Sequence, residues 1–286
     1  MEGITGIIAE YNPFHKGHGY QIEKTRELTA DRYVLVIMSG DFVQRGAPAI
    51  FDKYARTRMA LLGGADAVLE LPSCWGCGSA EYFARGAVGI LDALACVDHL
   101  CFGSESGDAA ACQKLGRVLA REPEEFQNFL RSFLKEGLSF PAARKKALTV
   151  YLENHPSENV RSQINIPEML NLLDSPNNLL GIEYCKALSR LNSQIAPVTL
   201  KREGAGYHEK EISRSMPSAT ALRRALIGAE GKNFSLSRLL SHTQPDSVAA
   251  FTEELLSSQR PVTEEDFSLL LKYQLRLRRR EEVAHF

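Results

Sequence analysis

The sequence of 286 residues has no excess of either charge and no long apolar run. Its 34 Lys and Arg residues nearly balance 35 Asp and Glu residues, so the formal net charge at pH 7 is -1. A nucleic-acid partner therefore has to be bound by a local patch of positive charge. No stretch offers the roughly 20 apolar residues of a membrane-spanning helix, and the chain opens with a strand-like run rather than a leader. These absences predict a cytoplasmic protein without a membrane partner.

The six cysteines do not form a disulfide framework or a recognisable metal motif. Cys74 and Cys77 make the single C-x-x-C pair. A zinc site would need two further ligands at matching spacing, and a redox motif would need a thioredoxin-like context. We therefore expect partly buried thiols in a loop after a strand and no metal site built from protein side chains.

The first hundred residues alternate between strand-like and helix-like segments. Continuous apolar runs predict strands at 3–9, 32–40, 65–72 and 97–105. Segments with helical spacing between them predict helices at 18–30, 52–64 and 79–94. This alternation predicts a parallel sheet with helices on both faces. In such sheets ligands bind beyond the carboxyl ends of the strands, where the strand order reverses.

The rest of the chain is predicted to be mostly helical. Helical spacing begins at about 107, and a stretch rich in Asn, Ser and Pro at 155–178 indicates a loop. A helix near 178–190 and a late strand at 197–202 follow. The last segment, 235–286, predicts two or three helices.

The segment EYNPFHKGH, at 10–18, follows the first predicted strand. The glycine-rich phosphate signatures are absent, so a nucleotide site has to be built in another way. His15 and His18 flank Gly17 at the first turn of a helix, where backbone N–H groups and the helix dipole favour an anion. Imidazole donors there can stabilise charge on a phosphoryl group. A zinc pair and an ordinary surface turn are the alternatives.

Seven stretches carry a more specific signal: GIIAEYNPFHKGH, VIMSGDFVQRGAPAIFDKYARTRMALLGGADAVLELP, SAEYFARGAV, FGSES, SPNNLLGIEYCKAL, TLKREGAGYHE and PSATALRRAL. In this order they resemble the tRNA(Met) cytidine acetate ligases of the HxGH nucleotidylyltransferase superfamily. The resemblance implies an α/β, Rossmann-like ATP-binding domain over 1–228, with a helical insertion at about 107–175. A mostly helical C-terminal part would occupy 229–286.

The resemblance also implies an activity. Such an enzyme uses ATP to form acetyl-adenylate from acetate, releasing pyrophosphate. It then acetylates N4 of the wobble cytidine, C34, of elongator tRNA(Met). Acetate is already ionised at neutral pH, so it needs positioning against the α-phosphorus rather than deprotonation.

The residues of the site follow from the same resemblance. His15 and His18 would be the catalytic donors, Arg202 and Arg223 would offset phosphate charge, and Mg²⁺ would enter with the triphosphate. Ser218 and Thr220 would open a helix that caps phosphate oxygens, although the same string also fits an ordinary helix N-cap. The implied ATP-binding set is Ile7, Ile8, Ala9, Glu10, Tyr11, Asn12, Pro13, Phe14, His15, Lys16, Gly17, His18, Gly19, Tyr20, Gly103, Asn177, Asn178, Arg202, Ser218, Thr220 and Arg223.

Other assignments stay open at the level of sequence. Asp41, Gln44 and Arg45 are candidates to bind acetate, Mg²⁺ or the cytidine. The basic stretches 143–147 and 272–280 are candidates for RNA phosphates, or solvated helix faces.

The resemblance covers most of this chain but not the further helical sequence of a typical member. A shortened chain could keep adenylate formation and lose tRNA acetylation. The competing functions are adenylylation of a small phosphorylated metabolite and non-catalytic binding of a nucleotide or RNA.

Overall fold

The computed structural model of the chain describes residues 2–155, 166–202, 219–227 and 236–283. Its centre is a five-stranded parallel sheet in the order β3-β2-β1-β4-β5. The chain runs outward from β1 to β3 and then returns to the other side of β1, so the order reverses between β1 and β4. The predicted parallel α/β fold is confirmed. The strands are β1 (Ile4–Ala9), β2 (Tyr33–Ser39), β3 (Ala67–Leu71), β4 (His99–Ser104) and β5 (Ala196–Lys201).

Helices cover both faces of this sheet. In chain order the described residues form α1 (Lys16–Thr29), α2 (Lys53–Leu62), α3 (Ser73–Gly76), α4 (Ala80–Ala93), α5 (Ala109–Arg121), α6 (Glu124–Lys135), α7 (Phe140–Asn154), α8 (Ile166–Asn171), α9 (Pro176–Leu191), α10 (Ala219–Ile227), α11 (Leu236–Thr243), α12 (Asp246–Ser258), α13 (Glu265–Leu277) and α14 (Arg280–Val283). Short 3-10 turns lie at Gln44–Gly46 and Leu172–Asp174. None of these helices is long and apolar enough to cross a membrane.

Strand β2 has a continuous apolar run because side chains on both of its faces are buried. Leu35 and Ile37 point into one buried cluster, together with side chains of α4, α5 and α9. Val34, Val36 and Met38 point into a second cluster, together with side chains of α1 and α2. A strand buried on both faces needs apolar residues at every position.

Segments from the end of the chain share the second cluster. Leu222 and Leu226 of α10, Leu240 of α11 and Val248 of α12 are buried against the same face as Ile7. This packing brings the C-terminal helices next to the turn that follows β1. The predicted domain boundary at 228/229 stays a prediction.

Three local predictions were wrong. Residues 166–174, within the predicted loop, form α8 and a 3-10 turn, because Met169, Leu170 and Leu172 are buried in the first cluster. Burial here outweighs the polar composition around these residues. Helix α1 begins at Lys16 rather than at residue 18, and four helical segments rather than two or three lie within 236–283.

Candidate active site

Two histidines begin helix α1 in an unusual way. His15 is the N-cap residue, and its Nδ1 accepts a hydrogen bond from the Gly17 N–H at 3.0 Å. The Nδ1 of His18 accepts one from the His15 N–H at 3.2 Å. A reciprocal capping box usually joins Ser or Thr to Glu or Gln, whereas here two imidazoles make it. Since both Nδ1 atoms accept, each neutral ring carries its proton on Nε2.

Both histidines are held in the neutral form. Burial, and then the charge of Arg202, lower the pKa of His15 from its ordinary value near 6.5 to about 4. Burial, followed by His15 and Arg202, places the pKa of His18 well below its ordinary value. The two rings stack with centroids 3.7 Å apart. At neutral pH the turn therefore offers two uncharged N–H donors.

Gly17 is required by the ring of His15. A Cβ at Gly17 would lie 2.9 Å from Cε1 and 3.0 Å from Nδ1 of His15. Any larger residue would displace the imidazole that caps the helix. The glycine of the motif thus makes room for a histidine ring, a reason the sequence did not reveal.

Buried apolar residues of the predicted ATP-binding stretch pack against the histidine turn. Ile7, Tyr11 and Phe14 are no more than 1% exposed. The rings of Tyr11 and Phe14 pack on His18 at centroid distances of 4.7 Å and 5.4 Å. Aromatic packing of this kind fixes the orientation of the imidazole.

Helix α10 reaches the same turn from the far end of the sequence. The Arg223 guanidinium donates through Nη1 to the backbone oxygen of Asn12 at 2.5 Å and through Nη2 to Thr220 Oγ1 at 3.0 Å. The structure therefore brings Thr220 and Arg223 to the histidine turn, while the phosphate contacts implied by the resemblance stay a prediction. Ser218 lies outside the described residues.

Two contacts from helix α11 and the residue directly after it, Gln244, were not predicted. The Gln244 side chain, fully buried, donates through Nε2 to the backbone oxygen of Phe14 at 2.7 Å. Lys16 Nζ donates to the backbone oxygen of Ser241 at 2.8 Å. No sequence signal marks these pairs, because more than two hundred residues separate the partners.

Strands β4 and β5 contribute the other side of the site. A Cβ at Gly103 would lie 3.5 Å from Arg202 Cγ, so the aliphatic part of Arg202 lies over this glycine. The Arg202 N–H donates to the backbone oxygen of Ser104 at 2.9 Å. Because its charge lowers the pKa of both histidines, Arg202 belongs to the same site.

Asn177 and Asn178 organise the loop after β4. The Asn178 side chain is buried, and its Oδ1 accepts from Ser104 Oγ at 2.7 Å, Glu105 N at 2.9 Å and Ser106 N at 3.3 Å. Glu105 in turn accepts from Asn177 Nδ2 at 2.6 Å and from the Asn178 N–H at 3.0 Å. The Asn178 carboxamide oxygen is thus fully used inside the protein. Direct contact of either asparagine with ATP stays a prediction.

The loop between β2 and α2 lies beside the histidine turn. Gln44 N donates to Glu10 Oε1 at 2.8 Å, and the Ile50 N–H donates to Asn12 Oδ1 at 2.9 Å. Asp41 Oδ1 accepts from the Lys53 N–H at 2.8 Å, which leaves its second oxygen for other contacts. The Arg45 side chain lies outside the described part of the structure.

The C-x-x-C pair does not lie in the loop that the sequence predicted. Cys74 and Cys77 are free thiols, in helix α3 and at its C-cap, rather than in an open loop. Within the described ranges, no three His, Cys, Asp or Glu side chains are grouped so that they could hold a metal ion.

The two basic stretches differ in how their charges are used. In 143–147, Arg144 pairs with Glu183 at 2.9 Å and Lys145 with Asp174 at 2.5 Å, while Lys146 lies 3.6 Å from Glu136. In 272–280, by contrast, Lys272, Arg276, Arg278 and Arg279 are exposed on and after α13, and Arg279 lies 3.5 Å from Glu282. The second stretch is therefore the better candidate for RNA phosphates.

The chain is similar in sequence to known proteins. The family model described as HIGH Nucleotidyl Transferase matches residues 1–286. A protein of Halothermothrix orenii named tRNA(Met) cytidine acetate ligase is 41% identical over 99% of this chain and 65% of its own length. Proteins with the same name from Acetivibrio thermocellus and Clostridium kluyveri are 42% and 46% identical over 99% and 94% of this chain, and over 65% and 64% of their own lengths.

Solved structures agree with the sequence comparison. A crystal structure of Thermotoga maritima TmcAL bound with alpha-thio ATP matches with a TM-score of 0.82 and 36% identity, over 96% of this chain and 61% of that chain. The apo form of the same protein gives a TM-score of 0.84 and 37% identity, over 97% and 62%. This chain spans about 65% of the length of the first two of these curated relatives. The family match over its whole length and the resemblance of its motifs lead to one conclusion: the chain belongs to the HIGH Nucleotidyl Transferase family.

Proposed function

We propose that this chain is an ATP-dependent acetate ligase that forms acetyl-adenylate and acetylates N4 of C34 in elongator tRNA(Met). One observation carries the proposal: His15 and His18 cap each other through Nδ1 and keep neutral Nε2 donors beside Arg202. The names of the curated relatives supply the substrates. Because the chain spans only part of those relatives, ATP, acetate and tRNA are all part of the proposal, as is a cytoplasmic location.

The first half-reaction follows from the chemistry of the two histidines. An acetate oxygen attacks the α-phosphorus of ATP and pyrophosphate leaves, so negative charge builds on the non-bridging oxygens of the α-phosphate. Nε2–H donors fixed by the capping box meet that charge without having to reorganise. Arg202 and Arg223 offset the charge of the other phosphates.

Mg²⁺ is proposed to enter with the triphosphate. In nucleotide sites this ion is held mainly by phosphate oxygens, waters and one or two carboxylates, and it neutralises charge on the departing pyrophosphate. The second oxygen of Asp41 is a candidate ligand. The same oxygen and the Gln44 side chain are also candidates for contacts with acetate or cytidine.

In the second half-reaction the exocyclic amine of the cytidine attacks the acetyl carbonyl of the mixed anhydride, the bond to AMP breaks, AMP leaves, and the amine loses a proton. The anhydride is reactive enough that the protein has to position the amine rather than form a covalent intermediate. The exposed arginines after α13 are the proposed contacts with tRNA phosphates.

The test is incubation of the chain with ATP, labelled acetate and elongator tRNA(Met), followed by nucleoside analysis. We expect N4-acetylcytidine with the normal transcript and none with a transcript that carries U at position 34, which lacks the amine. Acetate-dependent pyrophosphate release without acetylated tRNA would limit the function to adenylate formation.

Two other outcomes would replace the proposal. Pyrophosphate release that needs a phosphorylated acceptor and ignores acetate would assign the chain to metabolite adenylylation. ATP binding without any pyrophosphate release would make it a non-catalytic nucleotide-binding protein.

A further inference from the structure

Arg56, in helix α2, is a fully buried cation. Its side chain is 0% exposed and is among the largest fully buried side chains of the described residues. The guanidinium donates through Nε to Phe51 O at 3.0 Å, through Nη1 to Glu10 O at 2.6 Å and Ser39 O at 3.1 Å, and through Nη2 to Gly40 O. All of its hydrogen-bond partners are backbone carbonyls.

Such an environment is rare for arginine. Buried arginines are normally paired with carboxylates, because the loss of hydration has to be offset. Among the described residues, no carboxylate oxygen lies within 4.0 Å of the Arg56 guanidinium; burial outweighs the charges of Asp41, Glu10, Asp52 and Glu70, which raise its pKa without a direct ion pair. Burial accordingly lowers the pKa of Arg56 below its ordinary value. The side chain is therefore placed to bind backbone rather than to balance a charge.

The carbonyls it binds belong to two loops of the candidate site. Glu10 O begins the histidine loop, residues 10–15, directly after β1. Ser39 O ends β2, Gly40 O begins the acid loop, residues 40–51, and Phe51 O ends that loop. Arg56 Nη1 donates to both Glu10 O and Ser39 O, so one nitrogen connects the carboxyl ends of β1 and β2.

We propose that Arg56 is a positioning residue that sets the distance between the histidine loop and the acid loop. This inference rests on the proposed function, in which the histidine loop holds the α-phosphate and the acid loop carries the candidate acetate contacts. The attacking oxygen and the phosphorus have to approach to about 3–3.5 Å in line, and a displacement of about 1 Å can cost a hundredfold in rate. Arg56 keeps both loops at that separation without touching either substrate.

The binding of ATP depends less on Arg56 than the alignment of acetate with the α-phosphorus does. The histidine turn caps itself, and Arg223 and Gln244 hold it from the other side. Loss of Arg56 therefore leaves most contacts to ATP intact and releases the acid loop. This predicts a split between the rate and the affinity for ATP, which a general loss of folding would not produce.

The experiment compares Arg56→Lys and Arg56→Met with a matched control, Arg58→Met. Arg58 lies in the same helix, is exposed, and stacks on Phe251 at 4.3 Å, so its replacement removes the same charge without touching the two loops. The readouts are acetate-dependent ATP–pyrophosphate exchange, the KM for acetate and for ATP, and ATP affinity, each per folded protein. Arg56→Lys serves as the deciding variant if Arg56→Met does not fold.

We expect Arg56→Met to lower the exchange rate about a hundredfold and Arg56→Lys about tenfold, since lysine keeps the charge but not the fork of donors. The KM for acetate should rise while ATP affinity stays within about threefold of the control. An exchange rate within about threefold of Arg58→Met, or equal losses in rate and ATP affinity, would overturn the inference.

A second readout separates this inference from the proposed function. Absence of acetate-dependent exchange in the unmodified chain would contradict the function, whereas amide hydrogen exchange still tests Arg56. We expect Arg56→Lys to speed exchange in residues 10–15 and 40–51 together, with no change in β4, and Arg58→Met to leave both loops protected. Unchanged protection in the two loops would overturn the positioning role.

Discussion

Helices α1 and α9 both begin near the carboxyl edge of the sheet, and their first turns are built for opposite tasks. At α1 the two histidines accept backbone hydrogen bonds and keep an N–H on each ring for a ligand. At α9 the Asn178 oxygen takes three internal donors, and both Glu105 oxygens are occupied as well. One turn leaves its polar groups open for chemistry, and the other uses them to hold a loop. The same position in the fold therefore does not imply the same role.

The largest effect is expected at the open turn. His18→Ala removes one proposed donor to the α-phosphate and should lower the rate of acetyl-adenylate formation by about 10²–10³-fold, because fixed donors act mainly on charge in the transition state. ATP affinity should change far less. Rapid quench with labelled ATP measures the rate, and circular dichroism checks the fold. If the rate fell less than about threefold, the open turn would have no catalytic role.

Gly17 provides a sharper version of the same comparison. In Gly17→Ala the new Cβ collides with the His15 ring, so we expect a loss of about 10–100-fold in rate with little loss of stability. Gly89→Ala, in α4 and outside the predicted site, is the control, because a Cβ at Gly89 would meet nothing within 4 Å. Equal rates in the two variants would mean that acetyl-adenylate formation does not depend on the present position of the His15 ring.

At the closed turn the expected effect is on stability. Asn178→Ala leaves three donors without their acceptor and should lower the free energy of unfolding by about 1–2 kcal/mol. Asn177→Ala removes one partly buried hydrogen bond, from Nδ2 to Glu105, and should lower the free energy of unfolding about half as much. Urea denaturation measures both. A large loss of ATP affinity in Asn178→Ala, with unchanged stability, would assign α9 to the ligand instead.

The smallest expected effect is a pH dependence of stability that comes from the histidines at the first turn of α1. The pKa of folded His15, about 4, lies below the value near 6.5 expected in the unfolded chain, so between these values the unfolded chain binds more protons. Stability should therefore be full above about pH 6.5 and fall as the pH drops, by about 1 kcal/mol from this residue near pH 5.5. The double variant His15→Asn, His18→Asn should show a smaller fall in urea titrations. An identical pH dependence would contradict the neutral, desolvated histidines.

Much of this arrangement was readable in the sequence, for physical reasons that can be named. Strand β2 was predicted because a strand buried on both faces has to be apolar throughout. The local pattern placed the two histidines at a helix start but left a zinc pair and a surface turn open, and the resemblance singled out the nucleotide interpretation. Arg223 was reached only through the resemblance, and the structure brings it to Asn12.

What could not be read depends on contacts between distant residues. Contacts of Gln244 with Phe14 and of Lys16 with Ser241 join α11 and the residue after it to the histidine turn across more than two hundred residues, and no local pattern encodes such a pairing. Arg56 resembles any helical arginine until its carbonyl partners are seen. The residues 166–174 were assigned to a loop because composition alone does not show burial in the first cluster.

The central claim is that the open turn of α1 activates a carboxylate with ATP. Its most direct test is ATP–pyrophosphate exchange by the unmodified chain, with and without acetate and in the absence of tRNA, with His18→Ala alongside. The account predicts exchange that requires acetate and is lost in His18→Ala. Exchange that proceeds equally without acetate, or that survives the loss of His18, would contradict it.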